Sequence, residues 1–307
     1  MAPTEILVQQ HLENLRPLGN KVGVVVDALT GRDKGKQRDR KLAALLDGKI
    51  HILIGTHAVF QSGVHFLDLR LAIIDEQHRF GVRQRLALGE KGQSVDVLVM
   101  TATPIPRSLA LSQYGEMDLT VLTDKPAGRK PVKTVIISDN RVNEIVLKLK
   151  KAIDKKNQAY WVCPLIEESE VLEYTHAEDR FKALRANLGE GEVGLVHGQM
   201  NSDEKDEVMK KFSEGEIKVL VSTTVIEVGV DVPSANIIVI EHAEKFGLAQ
   251  LHQLRGRVGR GTSDSSCILL YKAPLSENGE RRLSILRETE DGFKIAELDL
   301  QMRGAGD

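Results

Sequence analysis

Short runs of β-branched and apolar residues alternate with helical patterns along almost the whole chain, and this alternation limits the fold more than any other feature. Continuous apolar runs of four to six residues are typical of strands that are covered on both faces. Helical segments between such strands provide the crossovers that parallel strands require. The sequence therefore predicts an α/β fold, with a parallel sheet in each half and helices on both faces of it.

Four strands are predicted in the first part of the chain and six in the second. In chain order they are 22–26, 51–54, 71–74, 95–100, 133–137, 159–162, 193–196, 219–221, 236–240 and 267–270. Helical character is expected at 41–46, with Gly48 as the stop, and at three later segments with one apolar face. Those segments carry Val142 to Ile153, Phe181 to Leu188 before Gly189, and Val208 and Phe212 after a capping box at Asn201 and Glu204.

The segment 124–132 contains two prolines, one glycine and three cations, which is the composition of a linker. It divides the chain into a first domain at 1–125 and a second at 126–275. A short helical C-terminal region is expected at 276–307, where the strand signal stops. Two α/β domains joined by one linker form a cleft, in which a ligand would respond to their relative movement.

Composition limits the class of protein. The 307 residues are 41% hydrophobic and 28% charged, which is globular, and the net charge of −2 excludes a general polycation. Cys163 and Cys267 lie far apart among apolar neighbours, so they fit neither a disulfide framework nor a metal knuckle. No run of 18 apolar residues exists and the start is not a signal peptide. We expect a cytoplasmic protein with no membrane contact.

Polar residues follow the predicted strand 71–74 directly, in the order Asp75, Glu76, Gln77 and His78. Ligands of parallel sheets bind at the carboxyl ends of the strands. An aspartate at such a position holds hydrated Mg²⁺ well, and a neighbouring glutamate is suited to polarise a water for attack on a phosphate. The alternative is an acidic strand end that only caps the next helix.

The next predicted strand ends in Thr101-Ala102-Thr103, after which two prolines turn the chain away. The threonine hydroxyl groups, beside Asp75 and Glu76, are placed to connect a bound phosphate with a second site. On their own, threonines at this position commonly cap helices.

In the second half, Thr223 and Thr224 follow a strand and are themselves followed by Gly229 and Asp231. Hydroxyls and turn amides suit backbone phosphates or a ribose, and Asp231 is suited to accept hydrogen bonds from ribose hydroxyls. The alternative is a strand and turn in which the aspartate is satisfied by local donors.

Residues 252–261 are the most specific segment, because Arg257 and Arg260 are three apart and are expected on one side of a helical turn. Paired guanidinium groups stabilise the charge that develops on a transferred γ-phosphate. We expect this pair to face Asp75 and Glu76 across the cleft. The alternative is that the arginines pair with surface acids.

These segments resemble motifs of the superfamily 2 helicases, in the right order and spacing. Motifs II, III, V and VI are matched by 75–78, 101–103, 223–231 and 253–260. The RecG family of branch-migration helicases is resembled most closely, since residues 1–7 are similar to its motif Ia and 54–58 to its motif Ib. Further similar segments are 79–82, 104–107, 162–167 and 197–200. The motor of transcription-repair coupling factors is related but usually differs around motifs Ia and IV.

The resemblance implies two RecA-like domains and an ATP-dependent DNA helicase with Mg²⁺ as cofactor. Its partner would be branched double-stranded DNA, at replication forks and Holliday junctions, in repair and recombination. The resemblance also implies that the protein is a monomer and that single-strand binding protein is a further partner.

The resemblance also implies a role for each matching residue. Glu76 would activate the attacking water, Asp75 would hold Mg²⁺, and Arg257 and Arg260 would act as arginine fingers. Nucleotide contacts fall on Gln77, His78, Gly229, Asp231 and Gln253, and interdomain coupling falls on Thr101 and Thr103. The residues expected along the DNA backbone are Pro3, Thr4, Gly55, Thr56, His57, Thr223 and Thr224.

One departure from the family pattern concerns the phosphate-binding loop. Motors of this class need a Gly-x-x-x-x-Gly-Lys-Ser/Thr loop, and the 307 residues contain none. The segment 31–37 has a spacing one residue short, and Gln37 stands where a hydroxyl is required. In the family this loop precedes motif Ia, the wedge domain is further upstream, and 299–307 is similar to the start of a translocation motif. We therefore expect a fragment with an internal Met1, or alternatively a non-catalytic DNA- or nucleotide-binding module.

Overall fold

A computed structural model describes most of the chain as two compact units, one up to Ala102 and one from residue 118 onwards. The described residues are 1–76, 91–92, 94–102, 118–122, 124, 126, 128–164, 170–223 and 232–304. Six predicted functional residues lie outside these ranges: Gln77, His78, Thr103, Thr224, Gly229 and Asp231.

The described part of the first unit contains two helices and two pairs of parallel strands. The elements are α1 (Glu5–Lys21), β1 (Val26–Leu29), α2 (Gly35–Leu46), β2 (Ile52–Gly55), β3 (Leu71–Ile74) and β4 (Asp96–Val99). Strand β1 pairs with β2 and β3 pairs with β4. The expected single sheet is thus divided into two pairs, because β2 and β3 are not hydrogen-bonded neighbours.

Met1 and Ala2 join the two strand pairs at their carboxyl ends. The Ala2 amide donates to the Gly55 carbonyl and the Asp75 amide donates to the Met1 carbonyl, both at 3.0 Å. The Met1 ammonium group donates to the Ile73 carbonyl at 2.6 Å. These two residues therefore hold the ends of β2 and β3 at the point where α1 is about to begin.

The second unit contains a six-stranded, wholly parallel sheet in the order β5-β10-β9-β6-β8-β7. Its strands are β5 (Val132–Ser138), β6 (Gln158–Val162), β7 (Val193–Val196), β8 (Val219–Ser222), β9 (Ala235–Ile240) and β10 (Ser265–Tyr271). Its helices are α3 (Val142–Ile153), α4 (Glu170–Leu188), α5 (Ser202–Ser213), α6 (Leu248–Arg255), α7 (Glu277–Glu288) and α8 (Gly292–Gly304). All five residues of β6 are buried, so this strand lies at the centre of the core.

Most predicted elements are confirmed, and the capping box at Asn201 and Glu204 is present at the start of α5. The prediction of a strand at 22–26 was wrong. Helix α1 continues to Lys21, Gly23 turns the chain with a φ of 73°, and Val22 is 73% exposed. The apolar run Val22 to Val26 is therefore divided between a helix end, a turn and the first residue of β1.

The C-terminal helices pack on the second unit rather than extending away from it. Arg255, at the end of α6, donates to the carbonyl of Leu286 at 2.5 Å and to that of Thr289 at 2.9 Å. Helix α8 also packs against α6. Among the described helices, none combines the length and the apolar composition that a membrane span requires.

Candidate nucleotide and DNA site

Glu76 is held in an unusual backbone conformation directly after β3. Its φ is 50°, in the left-handed region that costs a non-glycine residue about 1–3 kcal/mol. The Ala102 amide donates to Glu76 Oε2 at 3.4 Å, and the Met100 amide donates to the Ile74 carbonyl at 2.8 Å. The ends of β3 and β4 are therefore joined through the Ala102 backbone amide, whereas coupling through the hydroxyls of Thr101 and Thr103 stays a prediction.

Asp75 is half-buried and contacts a helix that the sequence did not predict. Its Oδ2 lies 3.3 Å from Nε2 of His11 on α1. The hydrogen bond with His11 is the largest influence on the pKa of Asp75 and lowers it, whereas partial burial acts in the opposite direction. The Asp75 carboxylate is ionised at neutral pH, as an oxygen ligand of Mg²⁺ must be. The donor chemistry of this strand end therefore fits a hydrated divalent cation.

Sequence reasoning missed His11 because it is 64 positions from its partner, and no local pattern connects the two. The signal that would have located its helix is the cap at Thr4. The Thr4 side chain accepts from the Leu7 amide at 3.4 Å, as an N-cap residue does. Thr4, predicted to lie along DNA, thus also begins α1.

The segment predicted to match motif Ib follows β2 with little free space. A Cβ on Gly55 would lie 2.4 Å from Val59 Cγ1 and 2.5 Å from the Leu29 carbonyl oxygen, so only glycine fits. Thr56 is 3% exposed, and its hydroxyl has no hydrogen-bond partner among the described residues. His57 is exposed and is the accessible side chain of this segment.

In the second unit, Thr223 directly follows β8 at the carboxyl edge of the sheet. Its side chain is 3% exposed, and its amide donates to the Val196 carbonyl at 3.4 Å. Pro3, in the first unit, is half-buried just before α1. A role of these residues at the DNA backbone stays a prediction.

The arginine pair does not lie on a helix, and the prediction that both project from one helical turn was wrong. Helix α6 ends at Arg255, and Gly256 is its C-cap. Arg257 follows in the turn and is 7% exposed, whereas Arg260 is half-buried and donates from Nε to the Gly256 carbonyl at 3.2 Å. Gln253 remains on α6 and is half-buried. The two guanidinium groups therefore occupy different environments.

Gly259 fixes the path of this arginine segment, defined as residues 256–260. Its φ is 76°, and a Cβ would lie 2.5 Å from Val132 Cγ2 on β5. Arg129 Nε donates to the Gly259 carbonyl at 2.8 Å. At the other end, Arg255 is anchored to α7 as described above, and burial lowers the pKa of its guanidinium. Arg255 was not identified from the sequence, because its role depends on a helix 31 residues away.

Two family profiles match the chain, one in each half. The DEAD/DEAH box helicase family matches residues 1–111, and the helicase conserved C-terminal domain matches residues 141–262. The two matches include Asp75 and Glu76 in the first half and Arg257 and Arg260 in the second.

Similar proteins cover all 307 residues. The ATP-dependent DNA helicase RecG of Escherichia coli strain K12 is 53% identical over 312 residues, and that of Pasteurella multocida is 51% identical over 312 residues. The chain spans about half of these relatives, 45% of the length of each. A solved structure of RecG bound to a three-way DNA junction has a TM-score of 0.82 and 45% identity. It covers 100% of this chain, which spans 40% of that one.

Proposed function

Because the chain belongs to the RecG family of DNA helicases over its whole length, we propose that it forms the two-domain motor of an ATP-dependent helicase. The motor would act on branched double-stranded DNA at stalled forks and Holliday junctions, in repair and recombination within the cytoplasm. The observation that supports this most is the Asp75–Glu76 strand end, where the first carboxylate contacts His11 and the second is held by the Ala102 amide.

Within this proposal, Asp75 holds Mg²⁺ and Glu76 accepts a proton from the attacking water. The metal ion supplies neutralisation of charge on the phosphate oxygens. Glu76 is oriented for its role in two ways, by its left-handed backbone and by the hydrogen bond from Ala102. A base that is held in place before reaction loses little entropy on reaching the transition state.

Arg257 and Arg260 are proposed to stabilise the charge on the transferred phosphoryl group. Guanidinium groups suit this task because they stay charged and donate in a planar fork. Gly259 and Arg129 hold the intervening backbone, so the spacing between the two arginines is fixed by contacts with β5 and the chain before it.

DNA contacts are proposed at the backbone phosphates rather than at base edges. The net charge of −2 makes a general electrostatic attachment weak, so hydroxyls, amides and local cations must supply the contacts. His57, exposed after β2, and the backbone around Pro3 and Thr4 are the candidates in the first unit. The proposed DNA contacts include no lysine or arginine, so we expect the affinity for DNA to depend only weakly on salt concentration.

A second candidate function applies to the 307 residues on their own. They contain no lysine-bearing phosphate loop, and positioning of the phosphates provides much of the catalysis in phosphoryl transfer. In isolation the chain would then act as a DNA- or nucleotide-binding module without substantial hydrolysis.

The proposal is tested in a chimera in which residues 1–307 replace the matching segment of Escherichia coli RecG. We expect ATPase activity that forked DNA stimulates. Glu76→Gln should keep ATP binding and remove hydrolysis, because an amide has the shape of the carboxylate but is not a base. Arg260→Ala should reduce turnover about 10³-fold or more.

Glu13→Gln is the matched control, since Glu13 is exposed on α1 and bonds only Gln9 among the described residues. Near-normal turnover from Glu76→Gln would contradict the role of Glu76. A well-folded chimera without any DNA-stimulated ATPase would contradict the proposed function.

A further inference from the structure

Three potential metal ligands meet in the second unit, at the carboxyl ends of two neighbouring strands. The parallel register pairs Val162 of β6 with Ile240 of β9, so the next residues, Cys163 and Glu241, lie side by side. The Glu241 amide donates to the Val162 carbonyl at 2.9 Å and fixes this arrangement. His176 of α4 lies over the same point, with Nε2 2.9 Å from Glu241 Oε2.

The ligand atoms of Cys163, His176 and Glu241 all lie within 4.8 Å of one another. Cys163 is fully buried, Glu241 is 4% exposed, and His176 is half-buried. One sulfur, one imidazole nitrogen and one carboxylate oxygen are a donor set that zinc accepts, at metal–ligand distances of about 2.0–2.3 Å. None of these three residues belongs to the proposed nucleotide or DNA contacts.

A cavity of about 270 Å³ opens beside the cluster and contains a second histidine. His242 lines it, and its ring centre is 5.8 Å from that of His176. His242 has a left-handed backbone, with φ 46° and ψ 49°, which a non-glycine residue adopts only at a cost. Its Nδ1 lies 3.2 Å from Glu244 Oε1, the kind of carboxylate contact that orients metal-binding histidines. The cavity thus offers a fourth position, for His242 or for a water.

The positive charge of Arg180 disfavours a metal cation at Glu241. It donates from Nε to Glu241 Oε1, and Trp161 Nε1 donates to the same oxygen at 2.5 Å. Without a metal ion, Arg180 therefore balances the buried charge of Glu241. Its guanidinium carbon also lies 5.3 Å from the centre of the Trp161 ring, a cation–π distance. The side chain has this second favourable contact when it releases the carboxylate.

We propose that Cys163, His176 and Glu241 bind a divalent transition metal of the zinc type, and that the metal ion exchanges with Arg180 at Glu241. On binding, the Cys163 S–H bond breaks, a sulfur–metal bond forms, and one proton leaves to the solvent. The proton on His176 Nε2, which bonds Glu241 in the metal-free state, moves to Nδ1, so that Nε2 is free to bind the metal ion. A cysteine thiol is protonated at neutral pH, and the thiolate is the form that binds a metal ion. Metal uptake is therefore coupled to proton release.

The test uses the tag-free 307-residue chain and Co²⁺ as a spectroscopic substitute for Zn²⁺. We expect one equivalent of Co²⁺ to bind, with a thiolate-to-cobalt charge-transfer band in the near ultraviolet and the visible bands of a tetrahedral site. Zn²⁺ should displace the Co²⁺. Zn²⁺ added to the metal-free chain should release one proton per ion, a measurement on the unmodified chain that requires no variant to fold.

Variants separate this site from others. Cys163→Ser should remove the charge-transfer band, whereas Cys267→Ser should keep it, because Cys267 is the other buried free thiol and lies outside the cluster. His176→Ala should weaken binding at least about 10-fold, and Arg180→Gln should strengthen it. If the unmodified chain neither binds Co²⁺ stoichiometrically nor releases a proton to Zn²⁺, the proposal fails and the cluster is a buried ion-pair network.

Discussion

His11 is the residue that connects α1 to the carboxylate proposed to hold Mg²⁺. His11 Nε2 lies 3.3 Å from Asp75 Oδ2, so the loss of this hydrogen bond should leave Asp75 less well oriented. In the chimera, we expect His11→Ala to raise the Mg²⁺ concentration needed for half-maximal ATPase about 10-fold or more. The same titration monitored by nucleotide binding separates affinity from turnover.

His65→Ala is the control for this variant, because His65 is exposed in the same unit. His11→Asn, which retains a donor group, should restore part of the Mg²⁺ affinity. An unchanged Mg²⁺ dependence in His11→Ala would mean that His11 only contributes to packing.

Gly259 gives a second prediction for a single residue. Gly259→Ala places a Cβ against Val132 and forces alanine into a φ of 76°, which should cost about 1–3 kcal/mol of stability. Unfolding in urea measures this cost through Trp161, the single tryptophan of the chain, which is fully buried in the second unit. Gly191→Ala is the matched control, since its Cβ meets nothing within 4 Å. Equal midpoints for the two variants would contradict the close approach to β5.

Residue contacts of the candidate site were predicted only where they follow from neighbours in sequence. Asp75 and Glu76 were identified because a buried strand runs directly into them. His11 and the Cys163–Glu241 pair were not, because the first depends on a contact over 64 positions and the second on the register of two strands. Neither the His11–Asp75 contact nor the register of the two strands can be read from the spacing of residues in the sequence.

At the scale of elements, the link between α6 and α7 makes the C-terminal helices part of the second unit. Arg255 is 3% exposed, and its guanidinium satisfies two carbonyl groups at the end of α7. Arg255→Ala leaves both carbonyls without this donor and should cost about 3 kcal/mol of unfolding free energy. Trp161 fluorescence in urea again provides the measurement.

Arg287→Ala serves as the control for Arg255→Ala, because Arg287 is an exposed arginine on α7 itself. Arg255→Lys should fall between the two, since one ammonium group replaces a planar fork. Loss of stability in Arg287→Ala equal to that in Arg255→Ala would contradict a specific role of the buried contact.

Element boundaries were predictable where the apolar pattern agrees with the residues that cap or end an element. Strand β3 has the predicted bounds, because four apolar residues end at two acids, and α5 begins at its predicted capping box. Helix α1 was missed because Pro17 lies inside it, where proline normally ends a helix. The predicted strand at 22–26 was wrong because Val22 is the C-cap residue of α1 and Gly23 turns the chain.

At the scale of the whole chain, the missing phosphate loop decides the expected activity. We predict that the isolated 307 residues hydrolyse ATP poorly, even with forked DNA present, because no lysine-bearing loop holds the β- and γ-phosphates. The measurement is DNA-stimulated ATPase of the isolated chain beside that of the chimera. Robust turnover by the isolated chain would contradict the prediction and indicate a different phosphate-binding segment.

The peptide groups of Met1 and Ala2 also link the two strand pairs of the first unit. Strands β2 and β3 are not hydrogen-bonded to each other, and the two residues that immediately precede Pro3 and Thr4 bond the end of each. A displacement at the start of α1 reaches the Asp75 amide through the hydrogen bond that this amide donates to the Met1 carbonyl. A displacement of Met1 and Ala2 should therefore break both hydrogen bonds, so the amide protons of Ala2 and Asp75 should exchange with solvent together. In this way the position of the start of α1 is coupled to the strand end that carries Glu76.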